Sequence, residues 1–403
     1  MHPHRIAGLL VCSLLAAACG GESNRNPTSE YLIEDSTGIR IVTYAAPLEA
    51  LDLPLVRLDT VVVIGTAAGQ PSHEFARITS ALVEGDRVLV ADGSSSEIRA
   101  FDLDGRHIRT VGGHGAGPGE FESLRWITAS AQGTIYAWDS SLSRLTVFDA
   151  ELGFIRSVVP AFTRSATAMV LGLVDDSTLL ASVLAAASRS AATNQVRTGS
   201  VNVSTVSLAE SAIPETLTEP SGRPVYFRDD GSFLAVPLTV LPAYGAGASR
   251  VYAGNGSDAE IAGFGSDGDL ELIVRLPSPS PIDPTMWSEA REAYLADSPA
   301  EDHQARAGLF DAIPQPDSVP SFAGLRVARS GELWIGVFET GDTETRTWII
   351  MSDAGIAQAR LELPANVQVL DVTGTRLVGV TRDDLGVERI IVCEYGGGNG
   401  AAG

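Results

Sequence analysis

Four histidines beyond the N-terminal segment are the side chains best suited to bind a metal ion: His73, His107, His114 and His303. A zinc site needs about three converging ligands. His73 and His114 lie in similar glycine-containing loops, whereas the other two lie in unrelated parts of the sequence pattern. We therefore predict no cofactor, with zinc or calcium as the less favoured alternatives.

Other familiar catalytic arrangements are missing from the sequence. Asp102-x-Asp104-Gly105 resembles the start of a calcium loop but lacks the later ligands, so it is interpreted as a hairpin turn. No Gly-x-Ser-x-Gly motif occurs, and Cys393 falls in a predicted terminal strand. The chain has no lysine, which excludes Schiff-base chemistry and a phosphate-binding P-loop lysine.

Two arginines share a sequence context that could bind an anion. Phe121-x-x-Leu124-Arg125 and Phe322-x-x-Leu325-Arg326 match, and both precede predicted strands. Opposed guanidinium groups would offer bidentate hydrogen bonds to a carboxylate or phosphate. The alternative, which we favour, is that each arginine pairs with an Asp or Glu of a neighbouring unit. The candidate ligand-binding residues are Arg125, Arg326, His114, Trp126 and Trp287.

The charge balance argues against one class of partner. The chain has 28 cationic side chains and 50 carboxylates, which gives a formal net charge of −22. Phosphate backbones would be repelled by such a surface, so no nucleic-acid partner is expected.

An internal repeat predicts the elements that hold these residues. The segment 87–105 aligns without a gap with 250–268, and further copies begin near residues 134 and 376. Each copy reads as short β-strands joined by tight turns, including Asp104-Gly105. Repeats of 40–50 residues with four strands each are typical of propeller blades. We predict six blades, with seven as the alternative, at residues 75–112, 121–160, 166–213, 222–277, 322–363, and 366–395 together with 56–65.

The two ends of the repeat region complement each other. Residues 56–65 read as an outer strand without its own inner strands, whereas residues 369–393 offer three strands and then stop. The sequence thus predicts an all-β, six-bladed β-propeller closed by an N-terminal strand that completes the last blade.

One segment of the chain departs from the repeat and reads as helical. Asp283-Pro284 is a helix start, and Ser298 to Glu301 reads as a capping box before a second helix. A helical hairpin is therefore expected as an insertion at about 281–313, either over the channel mouth or packed on the rim.

Several motifs resemble those of known propellers. Phe101-Asp102-x-Asp104-Gly105, continued through Val111-Gly112 to Gly117-Pro118-Gly119-Glu120-Phe121, resembles the NHL-repeat and TolB-like class of six-bladed β-propellers. The segments 35–42 and 382–388 resemble an uncharacterised group of bacterial propeller lipoproteins. The resemblance implies a fold and a location, without an agreed activity.

The N-terminal sequence predicts an export signal. Arg5 and the apolar run 6–18 predict a signal peptide at residues 1–18, too short to span a membrane. Leu14 to Cys19 resembles the lipobox of bacterial lipoproteins, which implies lipidation of Cys19; an ordinary cleavage site is the alternative. Residues 19–36 are predicted as a flexible tether, 37–395 as the propeller and 396–403 as a disordered glycine-rich tail. Gly20, rather than Asp, after the cysteine favours the outer membrane, facing either the periplasm or the surface.

These observations favour a non-enzymatic function. We predict a lipid-anchored cell-envelope scaffold that binds a peptide, glycan or protein, with the membrane as its second partner. The alternative is a metal-dependent hydrolase or lyase with its site at the mouth of the propeller channel.

Overall fold

A computed structural model of the chain describes residues 30–160, 168–184, 193–208, 214–247, 250–296, 298–341 and 343–396. The predicted signal peptide, Cys19, the tether up to residue 29 and the tail from residue 397 lie outside the described residues.

Blades one and two are regular four-stranded antiparallel sheets in which the strands follow one another from the inner to the outer edge. Blade one contains β5–β8, at Ile78–Glu84, Arg87–Asp92, Glu97–Asp102 and His107–Gly112. Blade two contains β9–β12, at Leu124–Ala129, Ile135–Asp139, Arg144–Phe148 and Phe154–Val158.

Blades three and four keep the four strands; β15, at Gln195–Arg197, lies between the second and third strands of blade three, whereas the strands of blade four are consecutive. Blade three contains β13, β14, β16 and β17, at Ala168–Asp175, Thr178–Leu184, Val201–Ser207 and Glu215–Thr218. Blade four contains β20–β23, at Ala243–Ala246, Arg250–Asn255, Glu260–Gly265 and Leu270–Arg275.

Blades five and six complete the set of six that the repeat predicts. Blade five contains β24–β27, at Gly324–Val327, Leu333–Gly336, Thr345–Met351 and Ala357–Pro364. Blade six contains β28–β30, at Val367–Val372, Arg376–Arg382 and Glu388–Tyr395.

The N-terminal segment adds strands to the outer edges of three successive blades. It contains β1–β4, at Tyr31–Ser36, Ile39–Tyr44, Leu55–Val56 and Leu58–Ile64. β2 runs parallel to the outer strand of blade four, with β1 beside it, and β3 runs parallel to the outer strand of blade five. β4 is antiparallel to β30, with Val63 opposite Ile391, and is the fourth strand of blade six. β1 lies within the range 19–36 that was predicted as a flexible tether. Its residues form a strand instead, because the first three are half-buried and two of them pack on the core.

The core lies between blades. One buried cluster joins blade one to blade two, and another joins blade one, through Val88 and Phe101, to blade six, through Val378 and Ile390. The inner strand of blade six contacts that of blade one. Each sheet buries its faces only against its neighbours, so the burial of apolar area, at about 25 cal/mol per Å², requires the assembled ring.

The two faces of the ring carry different connections. The four strands of a blade are lettered A to D from the inner to the outer edge. On one face, here called the A–B face, a turn joins each inner strand to the second strand of its blade. On the opposite B–C face lie the turns between second and third strands and the connections between blades. All long insertions lie in connections of this B–C face.

A small sheet occupies residues that the repeat assigned to blades three and four. It contains β15, β18 and β19, at Gln195–Arg197, Val225–Phe227 and Phe233–Ala235. Blade three therefore ends at residue 218 and blade four begins at 243, rather than at 213 and 222. The prediction was wrong there because β18 pairs with β15, which lies 30 residues earlier in the sequence, and local pattern does not report such a pairing.

The predicted helical hairpin is confirmed. It contains α1 at Pro284–Ala296 and α2 at His303–Asp311, and Asp283 Oδ1 accepts a hydrogen bond from the Thr285 N–H at 2.7 Å. The predicted capping box is absent, because the Ser298 hydroxyl donates to the Leu295 carbonyl at 2.8 Å instead. Short 3₁₀ turns lie at Leu48–Ala50, Pro71–His73 and Ala300–Asp302.

Candidate functional site

A cavity of about 580 Å³ lies on the A–B face, where the inner strands of all six blades end. It is lined by strand ends and turns at residues 83–85, 128–132, 173–176, 246–247, 329, 373 and 375–376. Tight hairpins fix this backbone; Gly133 N–H, for example, donates to the Ser130 carbonyl at 3.0 Å. The fold therefore builds a rigid concave site at the channel axis.

The two arginines of the cavity are already neutralised by carboxylates of the protein. Arg329 forms ion pairs with Glu84 at 2.7 Å and Asp371 at 3.1 Å. Burial raises the pKa of Asp371, and Arg329 opposes that shift. Arg376 pairs with Glu394 at 3.0 Å. These contacts link blades five, six and one, and they leave little free positive charge at the rim.

Blade three contributes two acidic residues with no cationic partner among the described residues. Asp175 accepts hydrogen bonds from the Ser177 N–H at 2.7 Å and from its hydroxyl at 2.8 Å. Burial acts to raise the pKa of Asp175, but hydrogen bonds from Ser177 and Thr178 outweigh it and lower that pKa. Asp176 beside it is exposed. This side of the cavity is therefore anionic at neutral pH.

Arg326 lies near the same end of the channel. It is two residues before the blade-five turn, where the Ala328 N–H donates to the Glu332 carbonyl, and it pairs with Trp334 across the sheet. The equivalent position of blade two, two residues before its own turn, is Thr128, which lines the cavity. Arg326 therefore lies at the level of its strand that corresponds to Thr128, but it is not among the residues that line the cavity.

The charge of Arg326 has no carboxylate partner in the described part of the chain. Its Nε donates to the Val369 carbonyl at 3.3 Å and one terminal nitrogen donates to the Leu325 carbonyl at 2.9 Å. Protein surrounds the guanidinium on most sides although the side chain still reaches water, and this burial lowers the pKa of Arg326. The expected pairing with a neighbouring Asp or Glu is not what the structure shows.

The predicted partner of Arg326 lies at a different level of the channel. Arg125 is five residues before its turn at Ser130, and its Nε donates to the Ser140 hydroxyl at 3.0 Å, near the B–C face. A difference of three residues along a strand is about 10 Å. The matching motifs do not place the two arginines opposite one another, because the inner strand of blade five is shorter.

None of the five predicted ligand-binding residues lines the cavity. His114 is exposed in the loop between blades one and two. Trp126 donates its indole N–H to the Val170 carbonyl at 3.0 Å and so links blades two and three. Trp287 stacks on Phe310 within the helical hairpin, with ring centroids 4.8 Å apart. That hairpin packs against the small sheet through Trp287.

The remaining candidates for chemistry have structural partners. His73 hydrogen-bonds the Gly105 carbonyl at 2.8 Å, and His303 hydrogen-bonds the Ser298 carbonyl at 3.0 Å. Asp102 accepts from the Asp104 and Arg106 N–H groups, which confirms the turn. Burial raises the pKa of the Cys393 thiol. In the ranges that the structure describes, no group of three His, Cys, Asp or Glu residues is placed to hold a metal ion.

The cavity residues were missed by sequence reasoning. The available signal was position: each inner strand of the repeat is followed by a turn, and Asp175-Asp176 and Arg329 occupy such turns. Their charges alone resemble ordinary surface residues. None of the helices in the described segments is long and apolar enough to cross a membrane.

The comparison with family models agrees with the observed fold. Residues 70–167 match a family model described as a 6-bladed beta-propeller. No curated protein matches the chain.

Three solved structures of low sequence identity align with most of this chain. A Bacteroides fragilis NCTC 9343 protein for which export has been suggested is 11% identical, with 89% of this chain and 100% of that one covered and a TM-score of 0.47. A member of the DUF4221 family from Bacteroides vulgatus is 8% identical, with 85% and 98% covered and a TM-score of 0.47. A calcium-binding protein, regucalcin from Agrobacterium tumefaciens, is 10% identical, with 85% and 96% covered and a TM-score of 0.40. Similarities this distant carry no argument about this chain. The family model and the strand topology show that the chain folds as a six-bladed β-propeller.

Proposed function

We propose that the protein is a lipid-anchored binding propeller of the bacterial cell envelope, and that the cavity on the A–B face is its ligand site. It would belong to the NHL-repeat and TolB-like lipoprotein propellers that its motifs resemble. The observation that carries the proposal is the axial cavity lined by all six blades.

The shape of the cavity supports a binding role. Sites for small ligands are commonly concave and about 300–1,000 Å³, with few polar groups on a preformed frame. Here the polar groups stand on strand ends and tight turns, so little ordering entropy is lost when a ligand binds. The charged groups are also divided, with Asp175 and Asp176 on blade three and Arg326 deeper on blade five.

The anchor rests on the N-terminal sequence. Cys19 would carry the lipid, and residues 20–29 would join it to the first described residue, Glu30. An extended segment of that length spans about 36 Å, which lets the propeller stand clear of a membrane surface. Gly20 after the cysteine supports the outer membrane as the location.

Lipidation is tested by expressing the full chain in a Gram-negative host with radioactive palmitate. The wild-type chain is expected to incorporate label and to sediment with membranes, whereas the Cys19→Ala chain is expected to do neither. Label on the Cys19→Ala chain, or none on the wild type, would refute the anchor.

Binding in the cavity is tested by obstructing it. Ala131 lies in an exposed turn that lines the cavity, and Ser266 lies in an exposed turn at the outer rim of the same face. Ligand-observed NMR against a panel of amino acids, short peptides and mono- and disaccharides is expected to give binders for wild type and Ser266→Trp. The same binders are expected to be lost in Ala131→Trp. Binders that persist in Ala131→Trp would place the site elsewhere, and a panel without any binder would count against the proposal.

A further inference from the structure

We propose that the cavity selects a short peptide with both termini free, its carboxylate on Arg326 and its ammonium group beside Asp175 and Asp176. This inference rests on the proposed function, because it names the ligand class of the same cavity.

Arg326 supplies the anion-binding end. Its Nε and one terminal nitrogen are held by the carbonyls of Val369 and Leu325, which fixes the guanidinium plane. The other terminal nitrogen has no hydrogen-bond partner among the described residues. A guanidinium without a carboxylate partner gains charge-assisted hydrogen bonds from a ligand anion, and these are stronger than hydrogen bonds between neutral groups.

Blade three supplies the cation-binding end. Asp175 is the last residue of its inner strand and Asp176 is in the turn that follows. The nearby arginines do not cancel this charge, because Arg329 and Arg376 are paired with Glu84, Asp371 and Glu394. An ammonium group at the rim would therefore meet uncompensated carboxylates.

The offset between the two ends along the channel axis is comparable to the length of a dipeptide. Arg326 lies two residues before its turn, whereas Asp175 lies at its turn, so their levels differ by about 7 Å along the channel axis. Two extended residues span about the same length. The acidic rim would repel a doubly charged phosphate, and a simple cation would leave Arg326 without a partner.

The inference is tested with three probes on the mature wild-type protein by isothermal titration calorimetry: L-alanyl-L-alanine, its C-terminal amide and its N-acetyl derivative. The free dipeptide is expected to bind at least tenfold more tightly than either derivative. Equal affinity for the dipeptide and its amide, or no binding of the dipeptide, would overturn the inference.

Variants assign the two ends to residues. Arg326→Gln is expected to bind the dipeptide and the amide equally, and the double variant Asp175→Asn with Asp176→Asn is expected to lose its preference over the N-acetyl form. Arg125→Gln is the matched control and should behave as wild type, because Arg125 lies near the other face. A loss of discrimination in Arg125→Gln instead of Arg326→Gln would overturn the assignment.

Two features keep the result interpretable. The comparison of dipeptide with amide uses the wild-type protein, so it stands even if Arg326→Gln fails to fold. Failure of the proposed function has a different signature, since Ala131→Trp would then keep every binder of the panel, whereas failure of this inference leaves the obstruction effect intact and removes only the preference for free termini.

Discussion

Blades one and two hold the loops that precede them with an arginine, whereas blade four does not. Arg99 donates to the Glu74 carbonyl at 2.7 Å, and Arg144 donates to the Ala116 carbonyl at 2.8 Å and the Gly117 carbonyl at 3.2 Å. At the position that the repeat aligns with Arg99, blade four has Ala262.

The connection between blades differs accordingly. We call these contacts of Arg99 and Arg144 arginine clamps. Where a clamp is present, the loop is short and the arginine of the following blade donates hydrogen bonds to its backbone carbonyls. Between blades three and four, where the clamp is missing, residues 219–242 extend away and form part of the small sheet. Clamped loops cannot accommodate an insertion without losing several hydrogen bonds at once, so insertions concentrate where no clamp exists.

The turn after the second strand is closed in the same way in blades one and four despite this difference. In blade one the Asp92 carboxylate accepts from the Ser94 N–H at 2.9 Å, and in blade four Asn255 accepts from the Ser257 N–H at 2.9 Å. Both side chains close the turn after the second strand. The comparison separates two roles of the repeat: turn closure, which blades one and four share, and loop clamping, which blade one has and blade four lacks.

The largest effect is expected from breaking the clamp of blade one. Arg99 is buried and pairs with Glu97 at 2.9 Å and with buried Asp92 at 3.5 Å. Arg99→Met should lower the free energy of unfolding by about 3–5 kcal/mol, because it removes the cationic partner of a buried carboxylate and the hydrogen-bond donors of the loop carbonyls. Urea denaturation measures this, with exposed Arg106→Met expected to change little. A loss in Arg99→Met no larger than that of the control would show that the clamp is dispensable.

On the A–B face, the contact between blades five, six and one depends on Arg329. Arg329→Met should cost roughly 2–3 kcal/mol near pH 7.5, less than a fully buried pair because the groups are partly exposed. The cost should shrink near pH 4.5. Burial raises the pKa of Asp371 in the folded protein above its value in the unfolded chain. The ionised carboxylate therefore destabilises the folded protein, and this destabilisation grows as pH rises through the folded pKa and vanishes when the carboxyl is protonated. Urea midpoints at both pH values measure this, and a cost independent of pH would contradict it.

A smaller effect is expected in blade two. Arg144 contacts only backbone carbonyls of the loop and is partly exposed, so water can replace part of its hydrogen bonding. Arg144→Met should therefore destabilise by about 1–3 kcal/mol. Chemical denaturation beside Arg99→Met tests the order, and a larger loss in blade two than in blade one would reverse the comparison.

The smallest global effect is expected in the irregular region. Tyr226 is buried between the small sheet and the hairpin, whereas its neighbour Phe227 stacks on Phe233, with ring centroids 6.0 Å apart. Tyr226→Ala should leave the unfolding midpoint of the propeller nearly unchanged but speed amide hydrogen exchange in α1 and α2. Phe227→Ala is the matched control and should leave that exchange unchanged. Unfolding of the whole ring in Tyr226→Ala would show that the insertion is part of the core.

Much of the fold could be predicted because its determinants are local. Alternation of apolar residues and turn pairs such as Asp104-Gly105 mark strands and hairpins, and the repeat spacing of Asp92 and Asp139 marks blades. The helix start at Asp283-Pro284 was also predicted from neighbouring residues. The small sheet was not, since β15 and β18 meet only in the folded chain.

For the candidate site as well, only the features that depend on local sequence could be predicted. The sequence by itself determined the repeat, the six blades, the helical insertion and the excess of negative charge, because each follows from residue types and spacing along the chain. Only the tertiary structure decided that Arg125 and Arg326 lie at different levels, that Trp126 links two blades, and that the turns of six distant segments enclose one cavity. The physical reason is that strand length and register set the height of a side chain in the channel, and both depend on the partner strands rather than on the motif.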